Sequence, residues 1–224
     1  MTATQVRPRR LLARRATLTL GGAYALVQWR ARTAGATTSE RRSLMAGDDI
    51  VRDATMTTTH AATMAVPPQS IWPWLIQMGW HQGGWYTARW VDQLLFPDNW
   101  PSADHLIPEL QSRTVGDVIP DGPPASGCSF TIERCDPGRA LVLHSTTHLP
   151  LTWRERWGAH LDWTWAFERR PVGDDRTRFV FRVRGRAAPW WVTVTYQLVI
   201  VPADLVMARQ MIRGIRSRAA TTSG

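Results

Sequence analysis

The sequence of 224 residues lacks lysine altogether, so that all 27 of its basic side chains are arginine. We interpret this as a coding bias rather than as selection for anion binding, because arginine and lysine are chemically unequal only at particular sites. Cysteine is scarce as well: Cys128 and Cys135 lie seven residues apart around one predicted strand. Their spacing argues against a metal site, and a disulfide between them stays open if the protein is exported.

Several motifs of well-known enzyme classes are also missing. There is no GxSxG nucleophile elbow, and neither cysteine is flanked by a recognisable catalytic partner pattern. The glycine pairs Gly21-Gly22 and Gly83-Gly84 lack the surroundings of a phosphate-binding loop. The sequence therefore gives no support for nucleophilic catalysis or for a nucleotide-phosphate site, and no cofactor is expected.

What is present is enough apolar material for one compact domain, since 44% of the residues are hydrophobic and 13 are tryptophan. The net charge of +9 is concentrated at one end. Residues 1–42 hold nine arginines and one glutamate, a charge of +8, whereas the rest of the chain carries only +1. A nearly neutral body does not predict a nucleic-acid groove, so no nucleic-acid partner is expected.

The basic end contains an uncharged stretch from residue 16 to residue 28. As a helix it would be roughly 20 Å long, against about 30 Å for the core of a bilayer, so it is a poor membrane span by itself. Three interpretations stay open: an export signal with the twin-arginine pair Arg14-Arg15, an interfacial anchor, or a leader without function in the mature fold.

We therefore divide the chain into a basic leader, residues 1–45, outside the fold, and one domain over residues 46–220. The expected location is cytoplasmic. Contact with a membrane surface through residues 1–42 and export through the leader are the alternatives. The sequence predicts no oligomeric state.

Periodicity and turn residues in the body predict one strand, then two helices, then several further strands. The predicted order is a threonine-rich strand at 54–66, helices at 70–79 and 87–96, a loop region at 98–126 with a short strand near 115–119, and strands at 129–134, 140–145, 161–168 and 177–186. Ser70 is the predicted N-cap of the first helix, with Pro73 in its first turn.

Alternation along the strand at 177–186 predicts which side of the sheet is buried. One face carries four arginines, with Val180 as the exception: Arg178, Arg182, Arg184 and Arg186. We expect this face to be wet, with Asp162 and Glu168 of the neighbouring strand as ion-pair partners, and the sheet to be antiparallel. The other face is apolar, and two adjacent aromatic rows form a wall there: Leu161, Trp163, Trp165 and Phe167, then Phe179 and Phe181.

The C-terminal residues carry a helical pattern. From Leu205 onward Ala208, Ile212 and Ile215 recur at helical spacing, and arginines follow the opposite face. The stretch 190–201 is ambiguous, because its β propensity favours a strand, whereas continuity across Pro202 favours one kinked helix.

Five strings of the sequence resemble a known superfamily: VPPQSIWPWLIQMG at 66–79, GGWYTARWVDQLL at 83–95, ADHLIPELQSRTVGD at 103–117, PGRALVL at 137–143 and MARQMIRGIRSRA at 207–219. They are similar to the SRPBCC superfamily, the START and Bet v 1-like group, and within it to bacterial proteins described as polyketide cyclase/dehydrase and lipid transport. The resemblance implies an α+β helix-grip fold, in which a curved antiparallel sheet wraps around a long C-terminal helix and encloses a cavity for an apolar ligand. It also implies that residues 190–218 are mostly helical.

The candidate ligand-binding residues follow from this expectation. Aromatic side chains would line the cavity, and a few polar groups at its mouth would orient the ligand. The candidates are Trp72, Trp74, Tyr86, Arg89, Trp163, Trp165, Phe179, Phe181 and His144. For Trp72 and Trp74 ordinary core packing is the favoured alternative.

Acid/base chemistry has weaker candidates. His105 and Glu109 lie four residues apart, and Asp92 lies on a predicted helix, so that each could move a proton if it faced the cavity. His144 and His148 share the spacing of two ligands on one strand, but the strand is predicted to end between them, and no metal site is expected.

Three functional hypotheses result. The first is a carrier that binds a hydrophobic small molecule, such as a lipid or polyketide, in an internal cavity lined by tryptophan. The second is an enzyme of the cyclase or dehydratase kind that uses a cavity acid or base. The third is a membrane-associated accessory protein that docks through its basic leader.

Overall fold

The structure is a computed structural model that describes residues 7–95 and 97–222. Six strands form one antiparallel sheet in the order β1-β6-β5-β4-β3-β2. The strands are β1 (Met56–Met64), β2 (Val118–Pro120), β3 (Ser129–Asp136), β4 (Ala140–Ser145), β5 (His160–Pro171) and β6 (Thr177–Ala188). The helices are α1 (Arg7–Thr33), α2 (Thr38–Arg42), α3 (Pro68–Ile76), α4 (Arg89–Leu95), α5 (Leu151–Trp157), α6 (Trp190–Thr195), a π-helical turn (Tyr196–Ile200) and α7 (Val201–Thr222).

The C-terminal helix packs across one face of this sheet, which we call the inner face. The side chains of α7 that are buried there recur at helical spacing: Met207, Ala208, Met211, Ile212, Ile215 and Ala219. An open antiparallel sheet with a long helix against it is a helix-grip arrangement. The predicted α+β fold class is therefore confirmed.

The predicted strands are all present, and the predicted helices differ in detail. The first helix begins at Pro68 after Pro67, with no side-chain cap, so Ser70 is not the N-cap. Proline fits the first helical position because the amide it lacks has no partner there. Phe96, the predicted end of the second helix, lies outside the described residues. Helix α5 was not predicted, although Pro150 before it and the left-handed Gly158 after it are common helix boundaries.

Proline also determines how the N-terminal helix docks. The segment 190–222 is helical, as the resemblance implied, with the π-helical turn just before Pro202. Proline has no amide to donate to the preceding turn, so carbonyls there need other donors. The hydroxyl of Tyr24 donates to the carbonyl of Leu198, and the amide of Gln28 donates to the carbonyl of Gln197 at 2.7 Å. Helix α1 therefore caps the break in the C-terminal helix.

The opposite face of the sheet, which we call the outer face, is not wet. Residues 34–53, including α2, lie on it, and a second apolar cluster forms beneath them: Met45, Ala61, Val142, Ala166 and Val180. Val180, the exception in the arginine row, is thus buried within this cluster. The predicted leader boundary is accordingly too late, because residues 34–45 pack on the sheet rather than outside the fold.

The arginine row of β6 binds this covering segment. Arg178 pairs with Glu40 at 2.7 Å, and Arg182 pairs with Asp48 at 2.6 Å. Arg184 donates to the carbonyl of Val51, and Arg186 pairs with Asp53. The predicted partners on β5 are used elsewhere: Asp162 contacts His144, and Glu168 contacts Arg170 and the amide of Ala46. The outer charges are thus balanced by a segment more than a hundred residues away in sequence.

The turn after α1 brings the chain onto β1. Gly35 adopts a φ of 73°, and a Cβ there would lie 2.0 Å from the carbonyl oxygen of Ala61. The amide of Ala61 donates to the carbonyl of Ala34 at 3.0 Å. Only glycine allows this close approach, which positions the end of α1 beside the edge strand of the sheet.

Candidate functional site

The inner face of the sheet carries the predicted aromatic wall. Trp163, Trp165, Phe179 and Phe181 are all buried there, together with rings from outside the wall. Trp165 lies 5.3 Å from Trp85 between ring centroids, and Phe181 stacks on Phe167 at 4.7 Å. This buried aromatic cluster lies where a ligand cavity was expected, and it is compatible with one.

The open volume beside the cluster is small. A cavity of about 30 Å³ lies between β1, β6 and the π-helical turn, and Met56, Trp163, Val183 and Tyr196 are among its walls. A single water occupies a space of roughly this size. This space beside Trp163 therefore holds about one water molecule and no lipid-sized ligand.

A polar network borders the aromatic cluster. His148 lies 2.7 Å from Asp121 through Nε2 and 2.7 Å from Ser145 through Nδ1, and the indole of Trp163 donates to Nδ1 at 3.3 Å. Because an indole nitrogen only donates, Nδ1 accepts and the ring proton lies on Nε2, facing Asp121. Burial raises the pKa of Asp121, and the contact with His148 opposes that shift.

Such a pair could transfer a proton, but neither His148 nor Asp121 lines one of the two described cavities. The contact between His148 and Asp121 connects the loop after β4 to the end of β2. Sequence reasoning missed this pair, since Asp121 and His148 are 27 residues apart and belong to no local pattern.

The larger opening is a groove of about 530 Å³ between α1, β1 and α7, which we call the α1–α7 groove. Its walls come from the end of α1, the middle of β1 and one side of α7: Trp29, Arg30, Thr33, Ala34, Gly35, His60, Ala61, Ala62, Leu205, Arg209, Ile212, Arg213 and Arg216. Small and aliphatic side chains alternate with arginines. The volume lies within the range of small-molecule sites.

The floor of the α1–α7 groove meets the interior at His60. This side chain is 1% exposed, and its ring stacks on Phe181 at 6.0 Å. Its Nε2 lies 3.1 Å from a carboxylate oxygen of Asp204, which also accepts from the hydroxyl of Thr58. Nδ1 of His60 has no hydrogen-bond partner within the described structure.

Among the predicted ligand-binding residues outside the aromatic wall, Trp74 and Tyr86 are core residues. The hydroxyl of Tyr86 donates to the carbonyl of Trp74 at 2.8 Å, and burial raises its pKa. The backbone carbonyl of Tyr86 lies against α7, where a Cβ on Gly214 would approach the carbonyl oxygen to 2.0 Å. Neither side chain lines either of the two described cavities, and both belong to the buried core.

The other three predicted ligand-binding residues lie elsewhere. Trp72 is half-buried beneath the guanidinium of Arg169, 4.7 Å from its ring, and Arg89 is exposed. His144 faces the outer side of the sheet, 2.7 Å from Asp162, which corrects its placement at a cavity mouth. Residues alternate along β4, so Leu143 and Ser145 point inward and His144 does not.

The acid/base candidates do not meet. His105 is exposed beside Asp104, and Glu109 is exposed in the following turn. Asp92 is buried and accepts from the hydroxyl of Thr87, and burial raises its pKa. None of the three lines a described cavity. Both cysteines are free, and the described residues contain no group of three or more His, Cys, Asp or Glu side chains that could hold a metal ion.

No protein-family model and no curated protein matches the chain. A hypothetical protein of Helicobacter pylori has a similar solved structure, with a TM-score of 0.48 at 9% identity over 81% of this chain and 98% of that one. A norcoclaurine synthase of Thalictrum flavum, in complex with dopamine and hydroxybenzaldehyde, gives 0.43 at 13% identity over 81% and 97%. A protein of Mesorhizobium loti gives 0.41 at 13% identity over 75% and 98%. The fold described above is assigned from the strand order and helix packing of this chain alone.

Proposed function

We propose that the protein binds a hydrophobic small molecule, such as a lipid or polyketide, in the α1–α7 groove. The observation that carries the proposal is the groove itself, with about 530 Å³ of space and an apolar floor that adjoins the buried aromatic cluster. Ala62 lines the groove and also packs against that cluster. A ligand chain lying on the floor would therefore be shielded from water on the sheet side.

Burial of an alkyl chain in the groove would contribute a substantial free energy of binding. Removing one methylene from water contributes about 0.8 kcal/mol, so a chain of about ten methylenes would contribute roughly 8 kcal/mol. That corresponds to a dissociation constant near 1 μM before the cost of immobilising the chain. Apolar contact thus supplies much of the free energy for holding a lipid-like molecule, and polar contacts at the groove would add to it.

The test is a titration with the uncharged fluorescent probe N-phenyl-1-naphthylamine, together with native mass spectrometry for a co-purifying ligand. Thr33→Trp places a large ring in the groove, because Thr33 lines it at the end of α1. We expect this variant to weaken probe binding by at least about tenfold, the loss of roughly two methylene contacts.

Ala203→Trp is the matched control, since Ala203 is exposed on α7 and does not line the groove. It should bind the probe as the unaltered protein does. Absence of saturable probe binding, or equal binding by Thr33→Trp, would contradict the proposed function.

A second function is supported by a different surface. We propose that the protein docks on anionic membranes through α1 and the segment 190–200, which are joined by the Tyr24 and Gln28 hydrogen bonds. Large apolar side chains are exposed on both: Leu18, Leu20, Leu26, Trp29, Trp190, Leu198 and Val199. The stretch Trp190–Thr221 is long and apolar enough to cross a membrane by length and composition, but its later part packs on the sheet.

Vesicle flotation tests this docking. Binding to vesicles of phosphatidylcholine with phosphatidylglycerol should exceed binding to phosphatidylcholine alone, because residues 1–42 carry a charge of +8. Leu18→Gln combined with Leu20→Gln should weaken it severalfold, since two exposed leucines would no longer enter the lipid. Leu44→Gln is the control, because Leu44 is 88% exposed on the outer-face segment. Unchanged flotation of the double variant would refute the docking surface.

A further inference from the structure

We infer that the ligand of the α1–α7 groove is an anionic amphiphile, with an apolar chain on the groove floor and a carboxylate or phosphate head bound by arginines. This inference rests on the proposed function, since it names the chemistry of the molecule held there. Four guanidinium groups supply the charge: Arg30, Arg209, Arg213 and Arg216.

The arginines of the groove face no acidic side chain among its walls. Arg209, Arg213 and Arg216 follow one another at spacings of four and three residues, so they lie on one side of α7. Like charges at these spacings repel each other. No acidic side chain lines the groove, and none of the four arginines has a hydrogen-bond or ion-pair partner among the residues that the structure describes.

Not every arginine of α7 lacks a partner. Arg218, two residues beyond Arg216, donates to the carbonyls of Ala103 and Ser102 at 2.6 and 3.2 Å. Guanidinium groups form their strongest contacts as paired donors to a carboxylate or phosphate. A row of free guanidiniums beside an apolar floor is therefore complementary to a molecule that has an anionic end and an apolar end.

The test is competition against the bound neutral probe by molecules with one chain length and different heads: dodecanoate, dodecyl phosphate and dodecanol. Sodium phosphate serves as the head without the chain. We expect the two anionic amphiphiles to displace the probe at concentrations at least about tenfold lower than dodecanol, as charged hydrogen bonds predict. Sodium phosphate should not displace it, because it contributes no apolar contact.

The arginine dependence identifies the site. In the double variant Arg209→Gln, Arg213→Gln, the anionic amphiphiles should displace the probe at concentrations less than about threefold lower than dodecanol does. The concentration of dodecanol needed should be the same as for the unaltered protein. Arg139→Gln is the matched control, since Arg139 is exposed in the turn between β3 and β4 and does not line the groove. It should retain the full advantage.

The outcomes separate the two proposals. The anionic assignment would be overturned if dodecanol and dodecanoate displaced the probe at equal concentrations. It would also be overturned if the double variant kept the full difference between anionic amphiphiles and dodecanol. In both cases the proposed function would stand. Displacement by sodium phosphate at the concentration of dodecyl phosphate would also overturn it, because the site would then accept a free anion. Failure of the neutral probe and of dodecanol to bind would instead remove the proposed function.

Discussion

Two sets of four arginines carry the same charge in different surroundings. The first set lies on the outer face of β6: Arg178, Arg182, Arg184 and Arg186. The second lines the α1–α7 groove: Arg30, Arg209, Arg213 and Arg216. Every member of the first set contacts an acid or a carbonyl of residues 34–53, whereas the second set has no such partner in the described structure. Pairing, rather than charge, separates arginines that hold the fold from arginines available to a ligand.

The largest expected effect comes from Arg182. Its guanidinium is buried and donates to Asp48, to the carbonyls of Ser43 and Glu40 and to the hydroxyl of Thr59. Arg182→Gln would leave the Asp48 carboxylate without its main cation, so we expect the free energy of unfolding to fall by about 3–5 kcal/mol. Chemical denaturation measures this loss.

Asp48→Asn introduced beside Arg182→Gln should restore part of that loss, since the stranded charge is then removed. A loss below about 1 kcal/mol for the single variant would contradict the comparison, because a buried pair would then behave as an exposed one.

Glu40 gives a smaller effect that depends on pH. The Arg178 guanidinium holds the pKa of Glu40 at about 2, well below its ordinary value. A carboxyl whose pKa is lowered on folding stabilises the protein above its ordinary pKa and loses this effect as the pH falls. Glu40→Gln should therefore cost about 2 kcal/mol at neutral pH and progressively less between about pH 5 and pH 2.

Glutamine suits this test because it can still accept the amide of Thr37 that completes the cap of α2. Urea denaturation at several pH values provides the measurement, with Glu155→Gln on α5 as an exposed control. The free energy of unfolding of Glu40→Gln is compared with that of the unaltered protein at each pH. If the difference between them stays constant with pH, the charge of Glu40 is not its cause.

The sequence predicted the sheet well because its signals are local. Alternation along β6 placed Phe179 and Phe181 on the inner face, and the resemblance correctly implied a helix over the ambiguous residues 190–201. The covering of the outer face was missed, since it depends on pairs such as Arg178–Glu40, which are 138 residues apart. Val180 was the one local signal of it, an apolar residue in a row of arginines.

The site was less predictable for a related reason. Aromatic residues on one face predict burial, but whether Trp163 and Trp165 enclose a void or fill it depends on how their rings pack together. The α1–α7 groove requires α1 to lie against the sheet edge, which depends on the carbonyls freed by Pro202 and on the approach at Gly35. Helical spacing places the arginines of α7 on one face of that helix, but it does not predict that α1 and β1 form a wall opposite them.

The smallest expected effect, and one of opposite sign, concerns the groove arginines themselves. Arg213→Gln removes no hydrogen bond found in the described structure, and it relieves repulsion from Arg209 and Arg216. The free energy of unfolding should therefore stay the same or rise by up to about 0.5 kcal/mol, and any gain should fade at high salt. Chemical denaturation at low and high sodium chloride measures both. The same change at Arg182 is expected to lower the free energy of unfolding by several kcal/mol. A comparable loss at Arg213 would mean that the groove arginines stabilise the fold, and it would contradict the distinction between the two sets.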